Sequence, residues 1–228
     1  MACTKKGMSS HQLAKELGIT QKSAWYMEQN IRILMGNKQY KGMLGGIVEA
    51  DEVYMVRDTS VKTKAGFGTN KQRVFGMRER NSEFNESGEL RIQVVRKVTQ
   101  EVLHPIIFDN VEVGSWLMTD ELGVYRNLDD FFARGVINHG KRQYVDGEIH
   151  TNSIEGAWAH LRKLIAGIYH RPSKEHLQRY LDEFEFRYNN RKRSLQSLFK
   201  QAMKQSNVRT KHKDIKLDSW KNSQKPKW

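Results

Sequence analysis

The chain has 228 residues, enough for one sizeable domain and a small appendage, and its 38% hydrophobic content can supply a core. Its formal charge of +13 and isoelectric point of about 9.8 point to a polyanionic partner, nucleic acid before membrane. The single cysteine, Cys3, excludes an internal disulfide framework and a cysteine-rich zinc site, and no long apolar run, lipidation signal or secretory h-region is present.

These properties set the expectation of a cytoplasmic, nucleoid-associated protein. Three segments are expected: a helix-turn-helix over 1–36, an α/β domain over 37–203, and a basic, disordered tail over 204–228. The tail holds eight Lys/Arg against two Asp.

In chain order, Ser10 is expected to cap a first helix with Leu13, Ala14 and Leu17 on its apolar face. Gly18 ends it, and Thr20 caps a second helix carrying Ala24, Met27 and Ile31. Two short helices around a glycine turn make a helix-turn-helix pattern, with Leu13, Leu17, Ile19, Ala24 and Met27 as the expected shared core. Gln21, Lys22, Ser23 and Tyr26 then face outward as candidate DNA contacts.

A glycine-rich stretch, Gly36 to Gly46, marks the boundary. Beyond it, GGIVEADEVYM predicts a strand with Glu49, Asp51 and Val53 on one face and Glu52 on the other. Three carboxylates in four positions of a central strand are costly unless a cation neutralises them. The Lys/Gly/Thr run over 57–73 predicts a loop. Val74 to Arg80 and Leu90 to Val98 predict two hairpin strands, the second with Leu90, Ile92 and Val94 facing one way. Thr99 to Asn110 predicts a helix containing Pro105, and Ser115 to Asp120 a strand ending in a carboxylate. Tyr125 to Phe132 is expected to be helical.

The segment HGKRQYVDGEIHTNSIEGAWAHLRK, from His139 to Lys163, runs from a polar, basic loop into a helix extending to about Ile168. Spacings of three and seven place Asn152, Glu155 and Arg162 on one face of it. Ser173 to Tyr188 predicts a long helix whose Leu177, Tyr180, Leu181, Phe184 and Tyr188 are core rather than a base-stacking platform. It ends in the basic cluster Arg187, Arg191 and Arg193. His139, His150 and His170 read as loop histidines.

Three hairpin strands, a helix, another strand and flanking helices give an α/β fold: a ribonuclease-H-like mixed sheet flanked by helices, preceded by the small helix-turn-helix. Asp51 then sits within the first strand, Asp120 ends the fourth, and Glu155 arrives from a later helix. Oxygen ligands from three elements suit two Mg²⁺ or Mn²⁺ ions, the arrangement that clamps both oxygens of an in-line phosphodiester displacement.

The motifs VEADEVYM, WLMTDELGVY, HTNSIEGAWAHLRK and RYLDEFEFRYNNR together resemble the DDE transposases of bacterial insertion sequences, and more narrowly the ISXO-like group. Between Asp120 and Glu155 stand 34 residues, a spacing typical of DDE enzymes, and Arg162 stands where they often place a Lys or Arg. The resemblance implies Asp51, Asp120 and Glu155 as the metal-binding catalytic triad, with Asn152 and Arg162 auxiliary. It implies cleavage at transposon ends, joining of the 3′-OH to target DNA, double-stranded DNA as partner, and a homo-oligomer assembled on that DNA. Members of the group usually carry a cysteine-rich zinc ribbon ahead of the helix-turn-helix, and this chain reads as a copy shortened there. The alternatives are a catalytically inactive DNA-binding remnant, a helix-turn-helix regulator, and a ribonuclease-H-like nuclease or resolvase.

Overall fold

A computed structural model describes residues 7–38, 40, 42–57, 71–80, 88–137, 149–170, 172–194, 196–198 and 200. The chain divides into two compact units, Tyr40–His160 and Met1–Gln39 with Leu161–Trp228. This grouping differs from the linear segments expected, since the C-terminal helical region clusters with the N-terminal helices. The expected tail, the 58–70 part of the loop and His139 lie outside the described residues.

The unit Tyr40–His160 is built on a five-stranded sheet of order β3-β2-β1-β4-β5. β1 (Ile47–Arg57), β2 (Lys71–Glu79) and β3 (Leu90–Val95) form an antiparallel meander, in which Asp51 pairs with Gly76. α3 (Gln100–Asn110) crosses over, and β4 (Trp116–Asp120) then pairs parallel with β1. This is the ribonuclease-H-like α/β arrangement that the strand pattern predicts.

Strand alternation sorts the two faces. Val48 and Ala50 of β1, Phe75 and Met77 of β2, Leu103 and Ile107 of α3, and Leu117 of β4 share one buried apolar cluster. Burial of Leu103 and Ile107 carries α3 through Pro105, which forfeits one backbone hydrogen bond without ending the helix. The opposite face of β1 carries Glu49 and Asp51 and is covered by α4 (Asn152–Leu164), through Ile154 and Trp158.

Three expectations for this unit need correction. Tyr125 to Phe132 is not an α-helix: a 3-10 turn, Gly123–Tyr125, is followed by further turns, and Asn127 has a positive φ of 67°. Tyr125, Leu128 and Phe132 repeat at helical spacing, yet they fill the core from a folded-back turn. A fifth strand, β5 (Ala133–Ile137), stands where only a connection was expected. It is short, and Gly135 within it lies where a Cβ would fall 2.3 Å from the sulfur of Met118. In β3 the expected alternation fades, because Arg91 is buried and Val94 only half-buried. The guanidinium of Arg91 is held by Glu89, Asn110 and the carbonyl of Gly42, which accounts for its burial on the supposedly polar side.

The other unit contains α1 (Ser10–Leu17), α2 (Gln21–Met35) and α5 (Leu177–Asn189). Ser9, not Ser10, caps α1 by accepting from the Gln12 amide, and Gly18 ends it in the left-handed region at φ 64°. Thr20 caps α2 as expected. The expected shared core does not form: α1 buries no residue, and Leu17, Ile19 and Met27 are 50%, 36% and 42% exposed. Only Ala24 of that set is buried.

α2 instead packs on α5 through polar side chains. The buried Arg32 pairs with Glu183 at 2.9 Å and with Glu28 at 3.3 Å, its guanidinium lying 4.1 Å from the ring centre of Tyr180. Glu183 also accepts from Tyr169 and Arg187. The apolar pattern of the first two helices therefore pointed to the wrong face of α2. The helix that α4 begins continues as a π-helical turn, Ile165–Tyr169, close to the expected end at Ile168, and α5 begins at Leu177 rather than Ser173.

Candidate active site

Parallel pairing sets the site. Glu49 of β1 lies beside Met118 of β4, so Asp51 and Asp120 each stand two residues past that pair on adjacent strands. The carboxylates of Asp51, Glu52 and Asp120 each offer an oxygen within 4.8 Å of the others. Alternation sends Glu52 to the far face, as expected, and there it accepts a 2.5 Å hydrogen bond from the buried hydroxyl of Tyr125. It still reaches the group because Asp120 ends its strand, where side chains of either face can approach.

Each carboxylate is held by donors. Asp51 accepts from the indole Nε1 of Trp158 at 2.9 Å and from the Glu52 amide at 2.8 Å. Asp120 accepts from the Leu122 amide at 3.0 Å. Burial pushes the Asp51 carboxyl up to about 6; the two hydrogen bonds oppose this, and the charges of Asp120 and Glu155 add to it. Burial pushes Glu52 up to about 7, against its Tyr125 hydrogen bond and helped by Asp120 and Asp51. Burial, and then the facing Glu52, raise the Tyr125 hydroxyl well above its usual range.

Glu155 lies in the first turn of α4, and its Oε1 accepts from the Thr151 hydroxyl at 3.1 Å. It is not in the three-carboxylate group, though its charge acts on Asp51. Asn152 opens α4 and Arg162 lies in its last turn, both exposed. Of the three histidines singled out, His150 is bound at Nδ1 to Arg80. In the other unit Gln21, Lys22 and Ser23 are exposed while Tyr26 is half-buried; Gln21 donates to Ser10 at 2.8 Å.

Sequence reasoning missed Glu52, Trp158, Tyr125 and Thr151 as site residues. Glu52 stands next to Asp51 and could have been added from adjacency alone. Trp158 and Tyr125 carry no local signal, since they meet the site only through tertiary packing, whereas Thr151 stands four residues before Glu155 and is legible from that spacing.

The donor set can be tested for a metal. Oxygen donors of like charge, crowded and partly dehydrated, suit a hard divalent cation, and no sulfur or imidazole belongs to the group. The raised pKa values of Asp51 and Glu52 come first from burial and then from the neighbouring carboxylates, and a cation would offset both.

A mixed sheet of this order, with carboxylates on its two central strands and a helix laid over them, defines a ribonuclease-H-like α/β protein with an acidic site. The sequence profile of the ISXO2-like transposase domain matches residues 43–189, and the chain belongs to that family. It is 26% identical over 196 residues to an uncharacterized protein in transposable element ISH50 of Halobacterium salinarum, a match covering 78% of this chain and 64% of that protein. It thus spans less than two thirds of that relative's length. It is 34% identical over 117 residues to an uncharacterized transposase-like protein of Haemophilus influenzae, covering 50% of this chain and 94% of that one. Among solved structures, a pre-cleavage Mos1 transpososome aligns at 13% identity and a TM-score of 0.33, over 90% of this chain and 76% of that chain. The Mos1 strand transfer complex gives 12% and 0.33, over 90% and 75%. The fold assignment rests on the sheet order rather than on these overlaps. No helix among the described residues is long and apolar enough to cross a membrane.

Proposed function

We propose that this protein is a metal-dependent DDE transposase that cleaves DNA at transposon ends and joins the 3′-OH to target DNA, working as a homo-oligomer assembled on that DNA in the nucleoid. The observation that carries the reading is the convergence of Asp51, Glu52 and Asp120 at adjacent strand positions in a chain of this family. Asp51 and Asp120, together with Glu155 from the first turn of α4, would hold two Mg²⁺ or Mn²⁺ ions. Such ions, when bound, polarise the scissile phosphate and acidify the attacking hydroxyl.

The protein's own groups orient the ligands. Trp158 fixes one oxygen of Asp51, the Leu122 amide fixes Asp120, and Thr151 steadies Glu155. Tyr125 restrains Glu52, whose carboxyl burial pushes up to about 7. Phosphoryl chemistry depends on position and charge neutralisation, so no Ser or Cys nucleophile is required. Asn152 and Arg162, exposed along α4, suit contacts to the donor strand and its phosphates.

Duplex DNA is bound in part through Gln21, Lys22, Ser23 and Tyr26 of α2. The test is a set of single substitutions. Asp51→Asn, Asp120→Asn and Glu155→Gln should each abolish Mg²⁺-dependent cleavage and strand transfer on a labelled end, while duplex binding persists. Substantial activity in any one removes that residue from the triad. Gln21→Ala with Lys22→Ala should weaken duplex binding, with a salt slope reduced by about one; unchanged binding removes α2 from the interface.

A further inference from the structure

Glu49 is fully buried and takes no part in the carboxylate group, yet it is among the most heavily engaged acids in its unit. Its Oε1 pairs with the Nε of Arg80 at 2.7 Å and lies 3.4 Å from Nδ1 of His150. Its Oε2 accepts from the backbone amide of Ile154 at 2.8 Å. Arg80 also donates to the carbonyl of His150 at 2.7 Å.

Ile154 is the third residue of α4, a position whose amide has no partner within the helix and is ordinarily satisfied by the capping side chain. The hydroxyl of Thr151, just before the helix, donates to Glu155. Glu49 therefore acts as the helix cap from another element, and its negative charge suits a helix N-terminus. One side chain thus ties the strand residue two before Asp51 to the helix residue one before Glu155.

We propose that Glu49 is a positioning residue that sets the separation between Asp51 and Glu155, and so the spacing of the metal ligands. This rests on the reading of Glu155 as a ligand given above. Arg80 neutralises Glu49, so the link operates as a fixed-length strut rather than as added charge for a cation. Shortening it should draw α4 off station even with the carboxylate kept.

The test is Mn²⁺ binding to the full chain by titration calorimetry, with a thermal melt of each variant. Glu49→Asp keeps the charge and removes one methylene. Glu49→Gln keeps an acceptor and removes the ion pair. Both should weaken Mn²⁺ binding about tenfold or more, the range for groups that orient metal ligands. In a Glu155→Gln background the same changes should weaken it less than about twofold further, because the ligand they position is gone. A folded Glu49→Asp or Glu49→Gln protein with wild-type affinity would overturn the proposal. So would an equal loss with and without Glu155. A wild-type protein that binds no Mn²⁺ would instead overturn the proposed function, and the strut with it.

Discussion

Gly76 gives the sharpest structural prediction, because it links the sheet to Asp51 through an indole ring. It pairs with Asp51 across the β1–β2 ladder, and the ring of Trp158 lies against it. A Cβ at this position would fall 2.4 Å from Cη2 and 2.7 Å from Cζ2 of Trp158, and 3.0 Å from Cγ2 of Ile92. Gly76→Ala must therefore displace the ring or spread the strands. Overpacking of this kind costs about 1–3 kcal/mol. If the ring yields, its hydrogen bond to Asp51 is lost as well, and a hydrogen bond to a charged group contributes about 1.5–3 kcal/mol. The two losses overlap, since moving the ring relieves the clash, so the net cost is about 3 kcal/mol. For a unit of this size that lowers the melting temperature by roughly 10 °C. Asp51, deprived of a donor that holds its pKa down, should titrate higher than about 6. Trp158→Phe separates the effects: it keeps most of the ring, loses the N–H, and should cost about 1.5–3 kcal/mol while moving Asp51 in the same direction. Calorimetric melting and Mg²⁺-dependent cleavage measure both variants. A Gly76→Ala protein that melts within a degree of wild type and cleaves normally would show that Trp158 does not hold Asp51.

Further outcomes follow from the buried carboxylates of the two units. Asp51 and Glu52 hold their protons more tightly folded than unfolded, so their contribution to stability is full below about pH 4 and is lost as pH rises through about 6 to 7. The metal-free unit should melt lower at pH 8 than at pH 5, and saturating Mg²⁺ should raise the melting temperature more at pH 8; a shift equal at both pH values would contradict the assignment. In the other unit, Glu183→Gln should cost about 3–5 kcal/mol, because Arg187 loses its buried counter-ion and Arg32 the nearer of its two. Glu28→Gln should be nearly neutral or stabilising at pH 8, since burial pushes the Glu28 carboxyl up to about 7 and its Oε1 has no partner among the described residues. Urea unfolding of the two variants decides this, and equal losses would refute it.

What the sequence disclosed and what it hid divide along one physical line. Period-two alternation in VEADEVYM placed Glu49 and Asp51 on one face of β1 and Glu52 on the other, and the structure agrees. Alternation assigns a face but not a partner. Glu49 and Asp51 look alike as written, yet one is neutralised by Arg80 and caps α4 while the other joins a carboxylate cluster. The difference lies in residues 31 and 69 positions away from them in the chain. The same holds for the helix-turn-helix segment. Its capping signals were local and legible, at Thr20 and Gly18, because a cap is made within a few residues. Its buried face was not, because α2 packs on α5, 151 residues further along at Arg32 and Glu183. Apolar periodicity named Leu17 and Met27 as core, but the packing partner supplies acids and tyrosines, so the long polar side chains of α2 are drawn inward instead. A surface that is apolar by pattern remains exposed wherever no complementary element meets it, and a charged face becomes core wherever its counter-charges arrive on a neighbouring helix.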